Sequence, residues 1–426
     1  MDEDARKPPL PDFITLLRTM EAPAVPDGLY KTVEDVEAYL LQEAVTIDDL
    51  LELFVNLVVR LNAIGLKLQR ASLHTGTLHP MLYGFAWVYE TQRGICNEVQ
   101  VGKAAQQSPS YLLNPLHEIL TEGGLVRGGP TDPHMARFPL MAELEEQGIT
   151  DYVAVALRSG GSYHNAVTLA TGAEGGFGDE TVAALKRLLP LFGLHVERHI
   201  SLRITRNIAV TYLGPAAGQE VLSGSIQRGD GRLIEAVIWL SDLRRFTILS
   251  EELGNEPMIA LLNAYFGCLV EAVMSHGGEV LKFMGDGVLA VFPHKQFGTP
   301  KAAANAALAA ARTALNAVAE MNRNPPEALH NVSGWAPLRT GIGLHDGSVF
   351  FGNVGGSERL DFTVIGSSVN EASRVEALSK AFDRQILMTQ SVAALVDDTL
   401  DHLGAHALRG IATPVNLYSP VDDPSP

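Results

Sequence analysis

Two aspartates, Asp242 and Asp286, stand where short apolar runs end. Asp242 follows the run Ala236-Val237-Ile238-Trp239-Leu240, and Asp286 lies in a Gly-Asp-Gly turn between apolar segments 280–283 and 288–292. A glycine on each side permits a tight hairpin, and such a turn pushes the aspartate side chain outward. Two carboxylates with no built-in cation form a hard-oxygen site of the kind Mg²⁺ or Mn²⁺ takes, usually alongside substrate phosphates.

That chemistry requires the two strands to be neighbours in one sheet. Positions 257–275 read as the amphipathic helix between them. Pro257 suits its first turn, and Met258, Leu261, Leu262, Tyr265, Phe266, Leu269 and Val273 recur at helical spacing. Downstream come an Ala-rich helix at 302–319, a strand at 338–344, a glycine-punctuated hairpin and a helix opening near 368. In that helix Asn370 and Arg374 are four residues apart and share a face. Strands at 384–388, 405–410 and 415–418 close the chain.

The 426 residues suffice for two or three domains. Apolar content of 46% with 19% charged residues is that of a globular protein. With 32 basic and 49 acidic residues the formal charge is −17, which argues against nucleic acid or an anionic membrane as a bulk partner. Two cysteines, Cys96 and Cys268, allow neither a disulfide framework nor a zinc spacing and suit a reducing compartment. No apolar run approaches 18 residues, and the N-terminus has no apolar signal region. The expectation is a soluble cytoplasmic protein.

The N-terminal half opens with a Pro-rich stretch, 1–30, read as a loose arm. Helices are expected at 32–42 and 46–65, the second capped by Thr46 or Asp48, and strand-like pieces at 70–74, 85–90 and 98–101. A helix at 115–122 and a Gly/Pro-rich loop at 123–133 follow. Next come a helix, a Gly-Ile turn, and two alternating strands joined by Ser-Gly-Gly-Ser. A long helix spans 180–212, and Gly and Pro interrupt the linker 213–232.

Residues 45–200 resemble the GAF fold, through the entry helix, the Glu145-Glu146-Gln147-Gly148-Ile149 turn before a strand, and the Phe-Gly-Asp-Glu start of the long helix. The resemblance implies a sensor or dimerisation domain able to hold a small-molecule ligand. The alternative is a dimerising scaffold with a filled core.

The C-terminal half resembles the class III nucleotidyl cyclases over about 233–420. The matching motifs are Ser-Asp-Leu-Arg-Arg-Phe-Thr (241–247), Lys-Phe-Met-Gly-Asp-Gly (282–287), Gly-Ser-Val-Phe-Phe-Gly-Asn-Val-Gly (347–355) and Phe-Thr-Val-Ile-Gly-Ser-Ser-Val-Asn-Glu-Ala-Ser-Arg (362–374). The resemblance implies a ferredoxin-like α+β core and cyclisation of ATP to 3′,5′-cyclic AMP with release of pyrophosphate, at sites formed between two copies of the chain. Asp242, Asp286 and the Leu243 carbonyl would hold two Mg²⁺ or Mn²⁺ ions. Asn370 would orient the ribose, Arg374 would stabilise charge at the α-phosphate, and Arg409 stands where the family usually has a lysine on the terminal phosphates. Lys282 and Thr363 would select adenine, with Thr replacing the usual Asp as acceptor. Arg245 stands where the family usually has Gly.

The organisation expected is an arm and helix at 1–44, a GAF-like domain at 45–200, a helical linker at 201–232 and a cyclase domain at 233–426. The function expected is an adenylate cyclase acting as a homodimer, with a guanylate cyclase or a catalytically silent nucleotide-binding module as alternatives.

Overall fold

A computed structural model describes residues 10–26, 28–157, 165–327, 337–411 and 413–421. The expected Ser-Gly-Gly-Ser turn lies outside the described residues. The chain forms two compact units, Met1–Ile208 and Ala209–Pro426.

In the first unit the elements run β1 (Ile14–Glu21), α1 (Val33–Gln42), α2 (Leu50–Ala63), β2 (Leu68–Gly76), β3 (Leu82–Glu90), β4 (Ile95–Gly102), α3 (Pro109–Leu112), α4 (Pro115–Glu122), β5 (Leu125–Gly128), α5 (Leu140–Glu146), β6 (Asp151–Leu157), β7 (Asn165–Thr171) and α6 (Asp179–Leu213). The sheet order is β1-β4-β3-β2-β7-β6-β5, with antiparallel pairing throughout. Phe54 and Leu57 of α2 and Phe192 and Val196 of α6 pack with Leu73 and Trp87 on one face. Ile119, Met141 and Leu144 cover Tyr152 and Ala166 on the other. The expected antiparallel sheet with flanking helices is present.

Three local expectations change. Residues 14–21 are an edge strand rather than part of a loose arm. The prolines at 11 and 23 bracket this segment instead of interrupting it, and Ile14 to Glu21 pair with Val101 to Ile95. Arg18 fixes the strand by ion pairs to Asp49 and to the buried Glu98. The α2 cap is neither Thr46 nor Asp48: the Asp49 carboxylate accepts from the N–H groups of Leu51 and Glu52. The loop 123–133 holds the short strand β5, paired with β6.

The second unit contains α7 (Pro215–Leu222), β8 (Gly231–Leu243), α8 (Phe246–Glu252), α9 (Asn255–Ser275), β9 (Glu279–Met284), β10 (Gly287–Pro293), α10 (His294–Phe297), α11 (Pro300–Arg323), β11 (Thr340–Gly355), β12 (Leu360–Ile365), α12 (Ser367–Leu378), β13 (Ile386–Thr389), α13 (Gln390–Ala393), β14 (Leu400–His406) and β15 (Val415–Pro420). Its sheet order is β14-β15-β13-β11-β8-β10-β9, with β12 paired to β11. The run β8-α9-β9-β10-α11-β11 is the expected βαββαβ core. Leu261, Tyr265 and Leu269 of α9 and Ala307, Leu308 and Ala311 of α11 bury one sheet face with Trp239, Ala290 and Leu344. The alanines let α11 approach closely. Ala217 of α7 and Ala372 of α12 lie on the other face, with Ile238, Leu289 and Phe362.

The linker expected to be broken holds the helix α7. Pro215 opens it, and the Glu279 carboxylate accepts from the N–H groups of Ala216 and Ala217 at 2.8 and 3.3 Å. The strand expected at 405–410 ends at His406, and 407–410 turn instead. Helix α9 is long and apolar enough to cross a membrane by length and composition, against the reading that no such run exists. In this fold Met258, Leu261, Tyr265, Leu269, Ala272 and Val273 of that helix are buried.

Candidate active site

Asp242 and Leu243 end β8, and the pairing of Val288 with Ser241 sets the Gly-Asp-Gly turn beside them. The turn is tight: Met284 pairs directly with Gly287. Its two glycines have different physical reasons. Gly285 takes φ +66°, a conformation glycine adopts at no steric cost. At Gly287 a Cβ atom would sit 2.6 Å from the Ser241 carbonyl oxygen, so no side chain fits. The resulting hairpin delivers Asp286 to the end of β8, where its Oδ2 accepts from the Leu243 N–H at 3.2 Å.

Asp286 perturbs the Asp242 carboxyl. Asp242 is exposed as a residue, yet its carboxyl is pushed up to about 6. Crowding by the protein is the largest cause, followed by the hydrogen bond and charge of Asp286, with the Leu243 N–H opposing. A third acid, Glu376 of α12, was not singled out in the sequence. Burial raises its carboxyl to about 8, Asp242 and Asp286 push the same way, and Arg244 opposes. Gly341 leaves room for it, since a Cβ there would lie 2.8 Å from Glu376 Oε1.

Behind the aspartates lies a buried hydroxyl pair that the sequence also did not reveal. Thr340 Oγ1 donates to the Asp242 carbonyl oxygen at 2.9 Å, and Tyr265 Oη lies 2.5 Å from Thr340 Oγ1.

Lys282, on β9, forms an ion pair with Asp361 of β12. Thr363, its expected partner, is only 7% exposed. Asp361 precedes it by two residues on the same strand and stays accessible, so the lysine meets the carboxylate. Lys282 and Asp361 line a cleft of about 860 Å³ together with Gly214, Glu279 and Phe283.

Asn370 lies in the first turn of α12 and is exposed, and Arg374 follows one turn later, half-buried. Arg374 Nη2 lies 3.5 Å from where a Cβ on Gly410 would be, which puts it against the loop carrying the exposed Arg409. Arg245 takes φ +67°, the left-handed conformation, just before α8.

Among the described residues no group of three or more His, Cys, Asp or Glu side chains is placed to hold a metal ion. The donor set at β8 and the turn is two carboxylates, and it fits a divalent cation whose remaining ligands come from phosphate and water.

Residues 232–418 match the adenylate and guanylate cyclase catalytic domain. That match falls within the second unit. Among curated relatives, Adenylate cyclase 1 of Rhizobium meliloti is 32% identical over 189 residues, 44% of this chain. Adenylate cyclase of Anabaena cylindrica is 33% identical over 168 residues, 39% of this chain. The chain spans 27% and 32% of the lengths of those two relatives. The crystal structure of the adenylyl cyclase CyaB from P. aeruginosa is 30% identical, covers 45% of this chain and 95% of its own, and has a TM-score of 0.41.

Proposed function

We propose that the chain is an adenylate cyclase that converts ATP to 3′,5′-cyclic AMP and pyrophosphate. The observation that carries this reading is the meeting of Asp242 and Asp286 at the end of β8, in a segment that matches the cyclase catalytic domain. Two divalent cations bound by these carboxylates and the Leu243 carbonyl would activate the ribose 3′-hydroxyl and hold the leaving phosphates.

The chain's own groups have distinct tasks. Asn370 orients the ribose. Arg374 offers a fork of donors to charge developing at the α-phosphate, where such donors matter most. Arg409, carried beside Arg374 by its loop, faces the terminal phosphates. Lys282 donates to the base ring, with Thr363 as the acceptor beneath it. Adenine is favoured over guanine by this Lys/Thr pair and by the names of the two curated relatives.

The active form is a homodimer. Large apolar side chains flank the site residues in the single chain: Phe283 and Met284, after Lys282, are 53% and 42% exposed, and Ile365, after Thr363, is 46% exposed. A second copy covering them would exclude water from the nucleotide. The first unit acts as a GAF-like sensor or dimerisation domain that regulates the second, and its small-molecule ligand would modulate turnover. The site works in the cytoplasm, where ATP and Mg²⁺ are abundant, without nucleic acid or membrane as partner.

The test is cyclic nucleotide production by the purified chain, offered ATP or GTP with Mg²⁺ or Mn²⁺, beside a chain starting at Arg232. Cyclic AMP from both at different rates is expected. A larger yield of cyclic GMP would make it a guanylate cyclase, and no product under any metal would leave a silent nucleotide-binding module.

A further inference from the structure

The geometry points to Thr340 and Tyr265 as positioning residues that set the metal affinity of the site. The inference rests on the cyclase reading for the identity of the cations, and on the fold alone for the contacts. The peptide joining Asp242 to Leu243 is held at both ends. Its N–H donates to Asp286 Oδ2 at 3.2 Å, and its carbonyl accepts from Thr340 Oγ1 at 2.9 Å.

A hydroxyl has one proton. Thr340 gives that proton to the carbonyl, so the 2.5 Å contact with Tyr265 must be made by the tyrosine proton. The relay therefore has one direction: Tyr265 to Thr340 to the Asp242 carbonyl. Thr340 and Tyr265 are both 0% exposed, so no water replaces a missing partner. A buried polar group left unpaired costs more than a typical hydrogen bond contributes.

The position of the relay explains what it controls. Thr340 opens β11 opposite Leu243, at the last rung of its ladder with β8. Beyond that rung one backbone bond ties the two segments, from the Arg244 N–H to the Arg339 carbonyl at 2.8 Å. Tyr265 reaches the same point from α9, the helix that separates the two aspartates in sequence. The peptide that the relay clamps carries the Asp242 side chain on one side and the Leu243 carbonyl on the other. Rotation of that plane would move both donors and release Asp286. Neither hydroxyl is offered to a nucleotide, since both are enclosed in the core.

The experiment uses the full chain and three variants: Thr340→Val, which keeps shape and removes the hydroxyl, Thr340→Ser, which restores it, and Tyr265→Phe. Mn²⁺ binding is followed by electron paramagnetic resonance, alone and with 3′-deoxy-ATP, which cannot cyclise. Thermal midpoints and cyclic nucleotide yields are recorded beside it. Thr340→Val should weaken Mn²⁺ about 10–100-fold, the range for partners that orient metal ligands. Thr340→Ser should recover most of that loss, and Tyr265→Phe should fall between, because the bond to the carbonyl survives it. Nucleotide affinity without metal should not change.

A lowered thermal midpoint with unaltered Mn²⁺ affinity in Thr340→Val would reduce the pair to a structural plug and overturn the inference. Should Thr340→Val not fold, Tyr265→Phe decides, and wild-type Mn²⁺ affinity there has the same consequence. A wild-type chain that binds Mn²⁺ but makes no cyclic nucleotide sinks the cyclase reading while leaving the positioning result legible.

Discussion

The Leu243 N–H donates to Asp286 Oδ2 at 3.2 Å, across a gap of 43 residues in sequence. One carboxylate of the pair is thus oriented by the peptide that carries the other. The charge of Asp286 opposes ionisation of Asp242, and a cation removes that conflict. Replacing Asp286 with Ala should therefore abolish turnover while leaving the oligomer unchanged by sedimentation. Arg374→Ala should lower kcat by about 10²–10³ with a smaller effect on KM, as loss of a donor to developing charge does. Normal turnover by Asp286→Ala would refute the metal assignment.

Two carboxyls at the site titrate above their ordinary values, Asp242 at about 6 and Glu376 at about 8, each raised first by burial. The folded state then binds more protons than the unfolded state between the ordinary and the raised values. Stability from these groups is full at low pH and is lost as pH rises through about 6 and then about 8. Urea melts of the metal-free protein should show this decline between pH 5 and 8. Glu376→Gln should flatten its upper part, and Mn²⁺ should offset the part due to Asp242. An unchanged slope in Glu376→Gln would show that this carboxyl is ionised in the fold.

Arg245 holds φ +67° on an exposed turn, where glycine carries no Cβ penalty. The left-handed conformation costs a residue with a Cβ about 1–2 kcal/mol. Glycine loses part of that gain through its freer unfolded chain. Arg245→Gly should stabilise the domain by about 0.5–1 kcal/mol, read as a higher urea midpoint at constant slope. A lower midpoint would mean that the arginine side chain contributes more than the conformation costs.

The Lys282–Asp361 pair is 31% and 57% exposed, so it adds under about 1 kcal/mol to stability. On the proposed function its use would be to aim the ammonium. Asp361→Ala should leave the thermal midpoint nearly unchanged and reduce the preference for ATP over GTP, measured as the ratio of kcat/KM values. If Thr363→Ala changes that ratio and Asp361→Ala does not, the lysine leaves Asp361 when nucleotide binds.

The strand, helix and hairpin that hold the aspartates were legible because each carries a local signal: an apolar run, a helical period and glycines around one acid. The same holds for the alanines of α11 and the spacing of Asn370 and Arg374. What escaped depends on distant partners. Residues 14–21 look like a charged arm until β4 offers an edge to pair with. Tyr265 reads as one more apolar position on a helix, because its hydroxyl partner lies 75 residues away. Asp361 and Glu376 are ordinary acids in sequence, and only the folding of β12 and α12 onto the sheet gives each a neighbour. The departure at Arg245 was visible, but its meaning lies in a torsion angle.

The Asp242 carbonyl waits for a hydroxyl 98 residues further along the chain. At a synthesis rate of about 5–20 residues per second, about 5–20 s separate the emergence of the two from the ribosome. In the second half of that interval both aspartates, and the helix between them, are already made, while the strand that closes the sheet beside β8 is not. A nascent chain therefore presents its carboxylates before the backbone that aims them is fixed. Ribosome-bound chains stalled before Thr340 should accordingly resemble a loose chelator, and those extended past β11 a formed one. On the proposed reading, order of synthesis then sets the earliest moment at which the two carboxylates could hold a cation.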